Sequence, residues 1–409
     1  MSIKQKFDPN DIADAFSYIE SYWPQITRTQ REDEDSLIGL PNPYVIPSSD
    51  TSNGFVYQEM YYWDSYFVAQ GLKVNGQLEL AEGMLENLIY LIRRFGIMPN
   101  SSRYYHMSHS QPPLLTSYIF DIYKWGNKSE SWLREKIEIA EHEYKNVWVS
   151  SLHPNFRNVY NDLSRYYDIH FLHDLAEAES GWDMTTRFDG RCLDYLPIDL
   201  NCLLYKYETD FAKAYKIFGD SDTTELWQNK AAYRAEHINE LMWDEEKGFY
   251  FDFDYKNYKK SEVWSLAGYY PLWCGLASHE QAKKLVANLM NFTFDGGIVA
   301  TTYHNNDPRL FNKQWGYPNA WAPLQWLVTE GLNNYGYNER AEQIARLWIN
   351  TNLNYFKNFG IFREAYNVVS PLDKPLEGVY PSQIGFGWTN AVFLDLAKKY
   401  LTAEELKLV

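Results

Sequence analysis

From Leu78 to Ile92 the apolar residues Leu78, Ala81, Leu85, Leu88 and Ile92 recur at a three-then-four spacing. That spacing lays one stripe along one face of a helix. The same rhythm returns at Leu133, Ile137, Ala140 and Tyr144, at Ala231, Ala235, Ile238 and Met242, at Ala282, Leu285 and Leu289, and at Ala341, Ile344, Ala345 and Trp348. Alternation of period two is confined to short stretches such as Gly248 to Asp254, GFYFDFD, which runs into the turn-like KNYKK. The pattern predicts a mostly helical chain with small hairpins in its loops. Connections rich in Gly, Pro and Asn, among them IGLPNPYVIPSSDTSNG, MPNSSR, YPNAW and SPLDKPLEG, separate the helices.

A chain of 409 residues exceeds the usual single-core size unless the fold grows as a ring or stack of repeated units. No Ser/Gly/Pro-rich linker divides it, and the residues that look chemical are scattered from Trp63 to Trp388. A single domain, residues 1–409, whose loops converge on one pocket accounts for that scatter.

Composition narrows the function classes. The formal net charge of −16 opposes phosphate backbones and anionic membranes, so neither a nucleic-acid nor a membrane partner is expected, and no protein partner is inferable. Cys192, Cys202 and Cys274 fit neither a zinc ribbon nor a disulfide framework and read as reduced core thiols. The opening MSIKQKFDPNDIADAF has no apolar stretch after its charged residues, and nowhere do about 18 apolar residues run together; the expected location is cytoplasmic. Aromatic residues reach 17%, a content that serves large helical cores and also the apolar C–H faces of sugars.

Hydrolysis of a glycosidic bond needs two carboxyl groups, one to protonate the departing oxygen and one to activate water or attack carbon. Four acidic residues stand in aromatic settings: Glu59 and Asp64 in YQEMYYWDSYF, Asp183 in AESGWDMTTRF and Glu364 in IFREAYN. A carboxyl group beside Trp182 would be desolvated, which suits an acid that must stay protonated near neutrality. Asp183 reads also as a helix N-cap or a partner of Arg187, and Glu364 as one half of a surface ion pair. On local sequence alone the structural role is the stronger reading for each.

The stretches IGLPNPYVIP and YYWDSYF, MPNSSRYYHMSHSQPP, ESGWDMTTRF, QWGYPNAWAPLQ and REAYN with YPSQIGFGWTN resemble the successive signature blocks of the α,α-trehalase family, glycoside hydrolase family 37. They stand in the family's order from about Ile38 onward. The resemblance implies an all-α (α/α)6 toroid and inversion at the anomeric carbon. It places the general acid on Asp183 and the base on Glu364. It further implies that Trp63 and Asp64 hold a glucose ring, that Asn100, Ser110 and Gln111 add hydrogen bonds, that Gly181 lets backbone approach the ligand, and that Gln314 and Trp315 complete the pocket wall. No metal or other cofactor is expected: such chemistry needs none, and His106 with His109 in HMSH is not a ligand spacing.

Several blocks depart from the family pattern. PSSDTSNGFVYQEM replaces the P-G-G-R-F-x-E that usually precedes YYWD, His109 stands for the arginine of R-S-Q-P-P, and the R-P-E motif before ESGWD is absent. Gly316 replaces the aspartate of Q-W-D, and Val379 stands where G-E-Y has its glutamate. Arginines grip hydroxyls as rigid forks, so their loss leaves the second sugar open, with His109, Arg103, Arg187 and Arg165 as substitutes to be placed. Three readings follow: hydrolysis of α,α-trehalose to two glucose molecules, hydrolysis of another compatible-solute glycoside such as glucosylglycerol, glucosylglycerate or mannosylglycerate, or a catalytically silent sugar-binding toroid.

Overall fold

A computed structural model describes residues 6–52, 54, 56–150, 153, 155–303, 313–378 and 380–407. Val379, and with it the altered G-E-Y position, lies outside the described residues. In chain order the helices are α1 (Pro9–Ile26), α2 (Tyr62–Val74), α3 (Leu78–Phe95), α4 (Leu115–Trp125), α5 (Glu130–Glu143), α6 (His173–Glu179), α7 (Ile198–Ile217), α8 (Ser221–Met242), α9 (Tyr270–Trp273), α10 (His279–Asn288), α11 (Ala322–Asn334), α12 (Asn338–Phe359) and α13 (Gly387–Tyr400).

Helices α2, α4, α7, α9, α11 and α13 form an inner ring, in which α4 packs on α7, α7 on α9, α9 on α11, α11 on α13, and α13 on α2. Tyr66 of α2 meets Tyr118 of α4 edge to face at 6.0 Å, and Gln70 donates to Asp121 at 3.1 Å, which joins the remaining pair. Helices α1, α3, α5, α8, α10 and α12 lie outside, and α6 is a short helix in a connection. This is the expected (α/α)6 toroid. Its core fills the space between the two rings. Closure depends on Gly71: a Cβ there would lie 2.3 Å from the Ala391 Cα, so only glycine lets α2 and α13 approach so closely.

The amphipathic stripes fall on the outer ring. Ala81, Leu85, Leu88 and Ile92 are buried along α3, and Ala341, Ile344, Ala345 and Trp348 along α12. The stripe from Leu133 leaves the α-helix at its last member, because Tyr144 opens a π turn, Tyr144–Trp148. In α8 the stripe includes the buried Arg234, whose charge is met by Glu208.

GFYFDFD forms no single alternating strand. Phe249–Tyr250 pairs with Trp243–Asp244, while Phe253–Asp254 pairs with Tyr195–Leu196 and with Lys259–Lys260. The whole run from Phe249 to Asp254 is buried, and its polar members face ion-pair partners instead of solvent: Asp252 meets Arg187 and Asp254 meets Arg191. Cys192, Cys202 and Cys274 are buried free thiols. Among the described residues no helix is long and apolar enough to cross a membrane.

Candidate active site

A cavity of about 250 Å³ opens among the loops that lead into the inner helices. Tyr57, Tyr61, Trp63 and Asp64 come from the entrance to α2, Gln111 from the segment before α4, Gly181 and Asp183 from the segment before α7, Trp315 from that before α11, and Glu364 with Tyr380, Gln383, Phe386 and Trp388 from the segment entering α13. Each of these contributors therefore sits at the N-terminal end of an inner helix or in the segment that leads to one. A ring built this way gathers residues that are remote in sequence around one axis.

The loop carrying Asp183 follows α6 and is held by its own backbone. Trp182 N–H donates to Ser180 Oγ at 3.1 Å, Thr185 N–H to Glu177 Oε1 at 2.8 Å, and Trp315 N–H to the Met184 carbonyl at 3.3 Å. Asp183 caps no helix, and Arg187 is committed elsewhere: its guanidinium grips Asp199 with two 2.8 Å bonds and Asp252 with bonds of 3.1 and 2.8 Å. Both structural roles open to Asp183 on sequence grounds are thus absent. Gly181, at φ 71°, lines the cavity, and a Cβ there would come within 2.8 Å of the Trp63 indole. Its demand for glycine arises from backbone packed on Trp63. Gly181→Ala is expected to displace Trp63 and the loop together, at about 1–3 kcal/mol of strain and about a hundredfold in kcat/KM; a variant with wild-type kcat/KM would contradict this.

Glu364 precedes the strand Ala365–Asn367, which pairs antiparallel with Asn319–Trp321 at the entrance to α11. Gln383 N–H donates to Glu364 Oε2 at 2.9 Å, and the Glu364 carbonyl accepts from Trp388 Nε1 at 3.2 Å and Thr389 Oγ1 at 3.3 Å. The residue is buried, and its neighbour Arg363 donates to the Tyr355 hydroxyl at 2.8 Å, so no surface ion pair exists here.

Tryptophans form the walls. Trp315 stacks on Trp321 at 3.9 Å and tilts against Trp63 at 5.7 Å and Trp182 at 5.5 Å, while Trp388 stands edge-on to Trp63 and Trp315. Much of the aromatic excess nevertheless packs the core, as at Trp23, Trp148 and Trp348. Within these walls three carboxyl groups lose water and oppose one another's ionisation. Burial, then the charge of Glu177, raises Asp183 to about 7. Burial, then Asp64 and Asp183, raises Glu364 to about 8 against the pull of the Gln383 N–H. Burial, then Asp183, raises Asp64 to about 8.

Of the residues singled out by sequence, Trp63, Asp64, Gln111, Gly181, Asp183, Trp315 and Glu364 line the cavity. Gln111 Oε1 also accepts the Trp63 N–H at 3.1 Å, satisfying a free donor in the first turn of α2. Asn100, Ser110 and Gln314 stand behind the wall. Asn100 Nδ2 donates to the Ser110 carbonyl, Ser110 N–H to Glu179, and the Gln314 carbonyl accepts from Asn319 Nδ2 and Trp321 Nε1.

None of the four substitutes lines the cavity either. Arg103 pairs with Glu59, which turns that fourth carboxylate into a structural ion-pair partner. Arg165 donates to the carbonyls of Phe156 and Leu193, Arg187 is buried as above, and His109 faces Asp168 at 3.5 Å. Gly316 lies in a turn where a Cβ would be 3.1 Å from the Lys313 carbonyl. His106 and His109 each face a serine hydroxyl, and among the described residues no group of three or more His, Cys, Asp or Glu is arranged to hold a metal ion. Tyr57, Tyr61, Tyr380, Gln383 and Phe386 line the cavity without having been singled out, and Trp388, the far limit of the chemical-looking residues in sequence, joins them. Their signal was position alone, inside the blocks YQEMYYWD and YPSQIGFGWTN.

The model of the trehalase family matches residues 2–170 and 152–401. A cytosolic neutral trehalase of Kluyveromyces lactis is 33% identical over 441 aligned residues, covering 90% of this chain and 57% of that protein. The chain thus spans under three fifths of the length of that curated relative. The structure of a neutral trehalase from Saccharomyces cerevisiae superposes with a TM-score of 0.79 at 28% identity, over 96% of this chain and 81% of that one. A family 63 mannosylglycerate hydrolase from Thermus thermophilus, solved with glucose, shares the fold at TM-score 0.67 and 17% identity, over 93% of this chain and 99% of that one.

Proposed function

The chain belongs to the trehalase family, and from that membership we propose that it is an inverting glycosidase, one catalytic domain over residues 1–409, that hydrolyses α,α-trehalose to two glucose molecules. Asp183 donates its proton to the bridging oxygen as the glycosidic bond breaks. Glu364 takes a proton from a water that attacks the anomeric carbon from the opposite face, and the two carboxyl groups exchange protonation states over the cycle. Trp63, Trp315 and Trp388 offer apolar faces to the sugar rings, and Asp64 and Gln111 offer acceptors to hydroxyl groups. The observation that carries this reading is that Asp183 and Glu364, 181 positions apart in the numbering, line one aromatic cavity, and among the described residues neither is engaged in an ion pair.

Inversion yields β-glucose from the attacked ring and releases the other ring as α-glucose. NMR of the first products should therefore show both anomers in equal amounts. Two α-glucose molecules would overturn inversion.

The acid must be protonated and the base ionised, so kcat/KM falls as pH drops below the lower of their two values and again as pH rises above the higher. Because burial moves both groups upward, the bell is expected to be narrow and centred between about 7 and about 8, far above the range of unperturbed carboxyls. A maximum near pH 5 would contradict the desolvated site.

Among the described residues lining the cavity there are three carboxyl groups and neither Lys nor Arg. That field favours a neutral glycoside over one bearing a carboxylate. In a panel of substrates trehalose should exceed glucosylglycerol, with glucosylglycerate and mannosylglycerate slowest. Faster turnover of glucosylglycerol would transfer the assignment to it. The relative's name supports a cytosolic location.

A further inference from the structure

Outside the cavity wall, beside Asp183, stands a carboxylate that the proposed mechanism does not use. Glu177 lies on α6, is buried, and accepts the N–H groups of Thr185, at 2.8 Å, and Met184. Its own carbonyl accepts the Ser180 hydroxyl, which ties the end of α6 to the start of the same loop. We propose that Glu177 is a positioning residue for Asp183: it grips the backbone immediately after Asp183 and keeps a second carboxylate beside it, outside the cavity. The inference rests on the reading of Asp183 as the acid.

Two carboxylates so placed oppose each other's ionisation, and the one nearer the substrate gains by keeping its proton. After burial, Glu177 is the largest influence raising Asp183. Glu177 is itself raised to about 7 by burial and by Asp174, and is pulled down by Lys313, 3.9 Å away, and by the two N–H groups; Cys192 also lies in its field. From the cavity side Asp183 is faced by Asp64, Glu364, Tyr57 and Tyr380. Glu177 acts through protein and keeps its place throughout the cycle.

Glu177→Gln keeps an oxygen for the Thr185 N–H and removes the charge, whereas Glu177→Asp keeps the charge and slackens the grip. The direct readout is the carboxyl titration of Asp183 in the full chain labelled with 13C-aspartate, assigned by the signal lost in Asp183→Asn. In Glu177→Gln the midpoint should fall by about 0.5–1 pH unit. In Glu177→Asp it should stay within error of wild type while kcat falls severalfold, a result that stands by itself if Glu177→Gln melts below the assay temperature. An unmoved midpoint in Glu177→Gln, or an equal fall in Glu177→Asp, overturns the proposal. Because Asp183, at about 7, lies below Glu364, at about 8, the acidic limb of kcat/KM follows Asp183 and should move with the midpoint. A midpoint that moves while the limb stays supports the role of Glu177 and instead removes Asp183 from the role of acid.

Discussion

Asp183→Asn is expected to lower kcat for trehalose by about 10²–10⁴-fold while leaving KM within a few-fold. The amide retains the shape of the side chain and loses the proton that the bridging oxygen needs. Stability should hold, because Asp183 caps no helix and Arg187 spends its donors on Asp199 and Asp252. Glu364→Gln should show a loss of the same order for the opposite reason, since an amide cannot take a proton from water, while its oxygen still accepts the Gln383 N–H. The double variant should lose little beyond the worse single one, as members of one catalytic unit do. Retention of more than about a tenth of kcat in Asp183→Asn, well outside the range for a lost acid, would remove that residue from the mechanism.

The largest loss of stability is expected from Arg187→Met. Arg187 is fully buried, and it satisfies two buried carboxylates at once while lying over the Trp182 ring at 4.5 Å. Removing one partner of a buried ionic group typically costs about 3–5 kcal/mol, because the charges left behind are uncompensated. Asp252 is already raised by burial, with Arg187 the main force holding it down. In the variant its folded-state pKa rises further, the folded state binds more protons than the unfolded one, and stability falls as pH rises through that value. The deficit in melting temperature should therefore widen toward alkaline pH and narrow on acidification. A deficit independent of pH would show that lost packing, and not unpaired charge, is responsible. Because Arg187 stands four residues after Asp183, kcat should fall as well, although Arg187 lines no part of the cavity.

His109 shows what resemblance could and could not convey. Its position in HSQPP marked a missing family arginine, and Arg103, Arg165 and Arg187 were natural candidates to replace the grip. Each is spent on a protein partner: Glu59, backbone carbonyls, and the Asp199–Asp252 pair. An arginine's sequence neighbours do not reveal which carboxylate the fold brings to it. Gly181 offers a similar lesson. The need for glycine was legible, but its cause is the Trp63 indole, supplied by a different helix.

By itself the sequence determined five of the six outer helices, all but α1, and the identity of the two candidate carboxyl groups. Outer helices divide core from solvent, so one apolar stripe records their position, as in α3 and α12. Asp183 and Glu364 stood within ordered blocks that resemble a known family. The inner ring was a matter for tertiary structure. Helices such as α2, α11 and α13 are buried nearly all round, so no contrast of faces marks their period. Closure of that ring through Gly71 and Ala391 brings the N-terminal ends of the inner helices together. Only then do Tyr57, Tyr380 and Trp388 become walls of the same cavity, and Asn100 and Gln314 its supports. Contacts between segments hundreds of residues apart are products of that closure, and no local pattern encodes them.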